Sequence, residues 1–198
     1  MLKDLPIYKA TLTSSEDGIY TVSLVDDPAV ESNFLMFSKN KLMFSIDDEE
    51  QRIITGCIMR CDFPIYRRDA SGYEYYIVFD KQTIELMAEK MLADATHNNI
   101  NLEHNPDAYV NDVYLKELFF KDKARGIVPK GFDDVSDGSL FGTYKVLNDA
   151  VWSQIKDGTF KGFSIECYID AVEIEMTQEE RDWYDILTML KQIEKGLD

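Results

Sequence analysis

The sequence predicts a β-rich α+β fold: a compact, mainly antiparallel β-barrel of about seven strands with peripheral helices. Hydrophobic residues make up 45% of the 198-residue chain, with only 10 Gly and 5 Pro, which is enough apolar surface for one folded domain. Segments rich in β-branched and aromatic residues alternate with short turns, which is typical of strands. Three other segments have the capping residues and the apolar spacing of helices. Most turns are shorter than the dozen residues of a parallel crossover, so a regular βαβ array does not fit.

Five segments of the N-terminal half predict strands, because each is rich in β-branched, aromatic or other apolar residues. They are residues 19–25, 34–38, 41–45, 53–59 and 73–79. The second and third repeat nearly the same residues on either side of Lys39-Asn40, and asparagine tolerates the positive φ of a tight turn. We therefore predict a β-hairpin over residues 34–46.

Three helices are predicted from capping residues and apolar spacing. Asp80 is suited to cap the first helix, in which apolar residues recur every three or four positions. Asn148 begins a short second helix that Gly158 ends. The third begins at Thr177, which opens a capping box, and an amphipathic helix is expected over residues 177–198.

The remaining segments complete a single domain. Three further strands are predicted over residues 98–104, 113–120 and 162–169. Residues 121–139 lack periodicity and are expected to form a long loop. Residues 1–176 therefore form one β-barrel domain, with the helix of residues 177–198 beyond it.

The charge of the chain limits its partners. It has 21 basic and 37 acidic residues, a formal charge of −16, so we expect neither nucleic acid nor a membrane surface as a partner. No window reaches the ~20 apolar residues of a membrane helix. Residues 1–6 lack the pattern of a signal peptide, from which we expect a cytosolic protein.

Two residues are candidates for a nucleophile and its base. His104 is one of two histidines, and counting by twos places it on the strand face of Ile100 and Leu102, where it would be partly desolvated. Ser164 faces away from the apolar side of its strand, and Gly162 leaves room beside its hydroxyl for a substrate backbone. Structural roles fit both residues as well, so the residues alone leave their function open.

A carboxylate that orients the histidine is harder to choose. Glu117 shares a strand face with apolar residues, and a lone carboxylate there needs a partner such as a histidine. Asp112, Glu166 and Asp170 compete with it, and counting by twos does not decide among them. The three cysteines lack C-x-x-C spacing, and metal-ligand and phosphate-loop motifs are absent, so we expect neither a metal nor a cofactor.

Four short motifs occur in order over residues 20–175. They are Val22-Ser23-Leu24-Val25-Asp26-Asp27-Pro28-Ala29, Pro64-Ile65-Tyr66-Arg67, Asn101-Leu102-Glu103-His104 and Gly162-Phe163-Ser164-Ile165-Glu166. Together they resemble the phage prohead (capsid maturation) serine proteases, which are distantly similar to herpesvirus assemblins. The last motif is the most specific of the four.

The resemblance implies an assemblin-like β-barrel and a serine endopeptidase that cleaves scaffold and capsid precursor proteins, and itself. It also implies that Ser164 is the nucleophile, His104 its general base and Glu117 the residue that orients the histidine. The implied partners are phage scaffold and major capsid proteins and further copies of the chain, inside the immature prohead in the bacterial cytoplasm. The alternative is a non-catalytic capsid-assembly protein that retains the protease fold.

Overall fold

A computed structural model describes residues 5–26, 44–69 and 71–175, together with residues 177 and 182. Its strands are β1 (Ile7–Thr11), β2 (Gly18–Val25), β3 (Ser45–Asp48), β4 (Ile53–Met59), β5 (Ile65–Arg68), β6 (Glu74–Val78), β7 (Ile100–Leu102), β8 (Val113–Phe120), β9 (Leu140–Val146), β10 (Gly162–Tyr168) and β11 (Asp170–Ile174). Its α-helices are α1 (Lys81–Ala93) and α2 (Asp149–Lys156). The predicted hairpin lies outside the described residues up to residue 43, and the predicted C-terminal helix lies outside them except at residues 177 and 182.

These strands form three sheets. Their strand orders are β11-β1-β6-β5, β10-β2-β7 and β3-β4-β9-β8. Among the strands of the described ranges, only the pairs β1–β6 and β2–β7 are parallel. The prediction of a β-rich, mainly antiparallel α+β fold is therefore confirmed.

The predicted closed barrel is wrong for the described residues, because each sheet keeps two edge strands. Four strands, β1, β5, β9 and β11, escaped the sequence prediction, as did β3 except at Ser45, where it overlaps the predicted strand of residues 41–45. Three of them belong to the same sheet, which they build around β6. The prediction of about seven strands suggested that they close into one barrel. The additional short strands supply enough pairing partners for a separate sheet.

Both predicted helices of the described part are confirmed, and their caps are the predicted residues. The Asp80 carboxylate accepts a hydrogen bond from the backbone N–H of Thr83, and the Asn148 side chain does the same for Val151. Gly158 follows α2 with φ of 78°, a conformation that favours glycine. No helix in the described ranges is both long and apolar enough to cross a membrane.

Strand β10 packs against β4 in the core. Every residue of β4 is buried, as the sequence predicted. Phe163 of β10 packs over Gly56, where a Cβ atom would lie 2.9 Å from the Phe163 ring, and against Tyr144 with ring centroids 4.9 Å apart. With Phe163 held on this side, its neighbour Ser164 must project from the opposite face of the strand.

Candidate functional site

Three polar side chains lie in one row across the sheet of β10, β2 and β7. Ser23 of the central strand is the register partner of Ser164 on one side and of Asn101 on the other. Directly paired residues project to the same face, and Glu166, two residues after Ser164, joins that face. Ser23 and Asn101 are fully buried, and Ser164 is 1% exposed. Buried polar atoms on one face need one another as hydrogen-bond partners.

His104 reaches this row from a turn that follows β7. Glu103 and His104 have φ of 53° and 56°, a left-handed conformation that costs roughly 1–2 kcal/mol per residue. The two residues interrupt the alternation of the strand. The prediction that His104 shares a face with Ile100 and Leu102 is therefore wrong: both of those side chains contact the core, while the imidazole lies with Asn101 and its neighbours.

Hydrogen bonds join His104 to Ser23 and Glu166, and both of these to Asn101; we call Ser23, Asn101, His104 and Glu166 the histidine cluster. His104 Nδ1 lies 3.0 Å from Ser23 Oγ and 3.3 Å from Glu166 Oε1. Ser23 Oγ donates to Asn101 Oδ1 at 2.6 Å, and Asn101 Nδ2 donates to Glu166 Oε1 at 2.7 Å. A carboxylate only accepts, so this arrangement favours a proton on Nδ1 and leaves the lone pair on Nε2.

Ser164 lies beside the cluster without a hydrogen bond of its own. Its Oγ is buried and has no partner among the described residues. Both hydrogen bonds of His104 involve Nδ1, which leaves Nε2 without a partner among the described residues. In a serine hydrolase, the nucleophilic hydroxyl passes its proton to a histidine nitrogen when substrate binds. Ser164 Oγ and His104 Nε2 are atoms of these two kinds.

Glu117 lies elsewhere, on β8. It pairs with Thr143 of β9 and lines a groove of about 320 Å³ with Thr55, Lys116 and Lys130, among others. No residue of the histidine cluster lines this groove, and no described contact joins Glu117 to His104.

The carboxylate that the structure brings to the imidazole is Glu166, one of the alternatives that the sequence left open. The side chain of Glu166 is 20% exposed and that of His104 is 39% exposed. Asp170, another alternative, accepts a hydrogen bond from the hydroxyl of Thr13. The backbone carbonyl of Asp112 accepts from Leu147 and Asn148, near the start of α2.

Sequence reasoning assigned no role to Ser23 or Asn101. Both stand inside motifs that carry the resemblance, Ser23 in the first and Asn101 at the start of the third. Their signal was a short polar side chain in an otherwise apolar strand, which requires a hydrogen-bond partner when the strand is buried on both faces. Strand pairing was needed to identify that partner, because the four strands β3 to β6 and helix α1 lie between Ser23 and Asn101 in the sequence.

The cysteines lack the properties of a thiolate nucleophile. Burial raises the pKa of Cys57 to about 12 and that of Cys167 to about 11, and it also raises the pKa of Cys61. A reactive cysteine needs the opposite shift. Within the described ranges, no three His, Cys, Asp or Glu side chains are grouped so as to hold a metal ion.

Comparison with known proteins identifies the family. No curated protein and no solved structure matches the chain. One family model, described as "Putative phage serine protease XkdF", matches residues 41–173. This range contains Ser164, His104, Asn101 and Glu166, whereas Ser23 precedes it. Since the match spans about two thirds of the chain, the protein belongs to the phage serine protease family of XkdF.

Proposed function

We propose that the protein is a serine endopeptidase in which Ser164 is the nucleophile, His104 the general base and Glu166 the carboxylate that orients the imidazole. The observation that carries this proposal is the hydrogen bonding of His104 Nδ1 to Ser23 and Glu166 in the row that contains Ser164. Glu166 takes the role that the resemblance suggested for Glu117, because it is the carboxylate in contact with the ring.

The proposed reaction follows from these positions. Nε2 of His104 removes the proton of the Ser164 hydroxyl as Oγ attacks the carbonyl carbon of the substrate peptide bond. The C–N bond breaks, and the same nitrogen returns the proton to the leaving amine. Water then adds to the acyl-enzyme with His104 as base, which releases the acid and restores Ser164. Glu166 stabilises the imidazolium in both steps, and Asn101 holds Glu166 in place.

Ser164 is preferred to Ser23 as the nucleophile for two reasons. Ser23 Oγ is already engaged with Asn101, His104 and Glu166, and the ring nitrogen it meets is the one that we infer to be protonated. The family match also includes Ser164 and begins after Ser23. Ser23 is therefore a positioning residue, which helps to fix the orientation of the imidazole.

Labelling with a fluorophosphonate tests this assignment, because the reagent reacts with activated serines. We expect one adduct by intact mass on the wild-type protein and none on Ser164→Ala or His104→Ala, with Ser23→Ala still labelled at a rate reduced about tenfold. Thermal melts followed by circular dichroism check that each variant is folded. Loss of the adduct in Ser23→Ala with retention in Ser164→Ala would assign the nucleophile to Ser23 instead.

The biological role in this proposal is prohead maturation. The protein would cleave phage scaffold and major capsid proteins, and itself, inside the immature prohead of the infected bacterium, as the sequence motifs suggest. Co-expression with the scaffold and capsid proteins of the same phage tests it: shortened products are expected with the wild type and not with Ser164→Ala. Normal shell assembly without cleavage, in both proteins, would favour the alternative of a non-catalytic assembly factor.

A further inference from the structure

Three tyrosines lie beside the histidine cluster, and we call Tyr20, Tyr109 and Tyr168 the tyrosine patch. The rings of Tyr20 and Tyr168 stack with centroids 4.9 Å apart and planes inclined by 24°. Tyr168 is 62% exposed and Tyr109 is 51% exposed. The Tyr109 hydroxyl lies 2.7 Å from Thr21 Oγ1, which ties the turn segment of His104 to β2. Large exposed aromatic side chains held in a fixed arrangement are typical of binding sites.

A β-bulge builds this patch. Thr21 pairs with Glu166 and Ile19 pairs with Cys167, so Tyr20 is an extra residue on β2 between the two pairs. The extra residue lets the Tyr20 ring turn to the side of Tyr168, while Ile19 stays in the core at 3% exposure. Bulges beside active sites commonly redirect a side chain in this way.

The patch continues the face that carries the nucleophile. Ser164, Glu166 and Tyr168 alternate along β10 and project to one side, and their exposure increases in that order. At about 3.3 Å per residue, the Cα atoms of Ser164 and Tyr168 are about 13 Å apart. A substrate chain extended along this face would place a residue three or four positions from the cleaved bond against the patch.

The chemistry around the patch favours a cation. Aromatic faces carry partial negative charge, so stacked tyrosines attract ammonium and guanidinium groups. Burial raises the pKa of Tyr20, and the neighbouring Glu166 carboxylate adds to that shift, which reports negative potential at the ring. The chain as a whole has a formal charge of −16. The positive charge of Arg67 would weaken the binding of a cation. Arg67 acts on Cys167, however, whose side chain packs against the core on the opposite face of β10.

We infer that the tyrosine patch is a subsite that binds a lysine or arginine side chain of the substrate polypeptide, three or four residues from the cleaved bond. The inference rests on the proposed peptidase function, and it adds the chemical class of one substrate residue. It assigns Tyr20 and Tyr168 as residues that determine specificity.

A positional set of internally quenched peptides tests the subsite, with Lys, Arg, Leu, Phe or Glu at each position around the cleaved bond. At one position, we expect kcat/KM for the wild type to be roughly tenfold higher with Lys or Arg than with Leu or Glu. Tyr168→Ala should reduce this preference to less than twofold, whereas Tyr168→Phe should keep it. Tyr114→Ala is the matched control, since Tyr114 is 42% exposed on β8.

Two outcomes would overturn the subsite: a basic preference that is unchanged in Tyr168→Ala and Tyr20→Leu, or a position that prefers Phe or Leu instead. Binding of the same peptides to Ser164→Ala, measured by fluorescence anisotropy, separates this inference from the peptidase proposal. If no peptide is cleaved by the wild type, loss of basic-peptide binding in Ser164→Ala/Tyr168→Ala still supports the subsite. Equal binding of all peptides in both proteins overturns it.

Discussion

The imidazole of His104 is oriented by side chains from β2, β7 and β10 rather than by one residue on its own element. Ser23 and Asn101 are buried, so their positions are set by strand pairing and packing. They hold the carboxylate of Glu166 on the side of Nδ1. An oriented imidazole has the correct tautomer before substrate arrives, which is the main contribution of the third residue in serine hydrolases.

The exchange of Glu166 for glutamine tests this arrangement. Glu166→Gln places an amide beside Nδ1, so the ring loses the charge that stabilises the imidazolium, and we expect kcat/KM to fall by about 100-fold or more. Glu117→Gln serves as the comparison and should remain within about twofold of the wild type, because Glu117 lines a different groove. Peptide cleavage assays measure both, and a larger loss in Glu117→Gln than in Glu166→Gln would contradict the assignment.

Residues 121–139 form a long connection between β8 and β9, and a buried lysine anchors it. Lys121 is fully buried, and its Nζ donates to the carbonyls of Phe132, Asp133 and Val135 at 2.6, 2.9 and 2.6 Å. Burial lowers the pKa of this lysine. Phe132 and Val135 also pack on Phe141 and Cys57. The segment lacks periodicity in the sequence and is nevertheless anchored, because one side chain satisfies three carbonyls.

Lys121→Met should therefore loosen the segment selectively. It removes the lysine donor from all three carbonyls, and only that of Phe132 keeps another described donor, the Val135 N–H. We therefore expect the free energy of unfolding to fall by about 3 kcal/mol and thermolysin to cut within residues 121–139. Urea titration and mass mapping of the fragments measure the two effects. Lys123→Met, an exposed change in the same segment, should leave both unaltered. Equal resistance of the Lys121 variant would show that the three hydrogen bonds contribute little.

The elements differ in how well the sequence predicted them. Asp80 and Asn148 marked both helices, because a capping side chain acts on its own backbone within three residues. β1 and β11 were missed since their outward residues are polar, such as Lys9 and Glu173, and their pairing depends on contacts more than 150 residues apart. His104 and Ser164 were chosen from motifs, whereas the choice of Glu166 required the register of β10 with β2.

At the scale of the whole molecule, a fall in pH has two opposite effects on the stability of the fold. It weakens the repulsion among acidic residues, and it removes the hydrogen bonds that particular carboxylates accept. With a formal charge of −16, the excess acidic side chains repel one another, and this repulsion destabilises the folded chain at neutral pH and low salt. Asp17, Asp69 and Asp157 have lowered pKa values. The main causes are hydrogen bonds from the Ser14 backbone N–H, the Ser71 hydroxyl and the Thr159 hydroxyl, respectively.

The sign of the second effect follows from linkage. A carboxyl group whose pKa is lower in the folded protein stabilises it fully above the ordinary value of 3.8, and this is lost as the pH falls through the lower folded pKa. As the pH falls, the repulsion among acidic residues weakens before these hydrogen bonds are lost, because other carboxylates begin to take up protons near pH 5. We therefore expect the melting temperature to be highest near pH 5, to fall steeply below about pH 4, and to rise with added salt at pH 8 more than at pH 5.

Differential scanning calorimetry at low and moderate salt between pH 3 and pH 8 measures this profile. Asp17→Asn should lower the melting temperature at pH 7, because the amide is a weaker acceptor for the N–H groups of Thr13 and Ser14, and it should flatten the decline below pH 4. Glu49→Gln with Glu50→Gln should instead reduce the effect of salt at pH 8 and leave the acid limb unchanged, since these exposed residues only add to the net charge. A melting temperature independent of salt at pH 8 would show that the charge of the chain is already balanced by its local ion pairs.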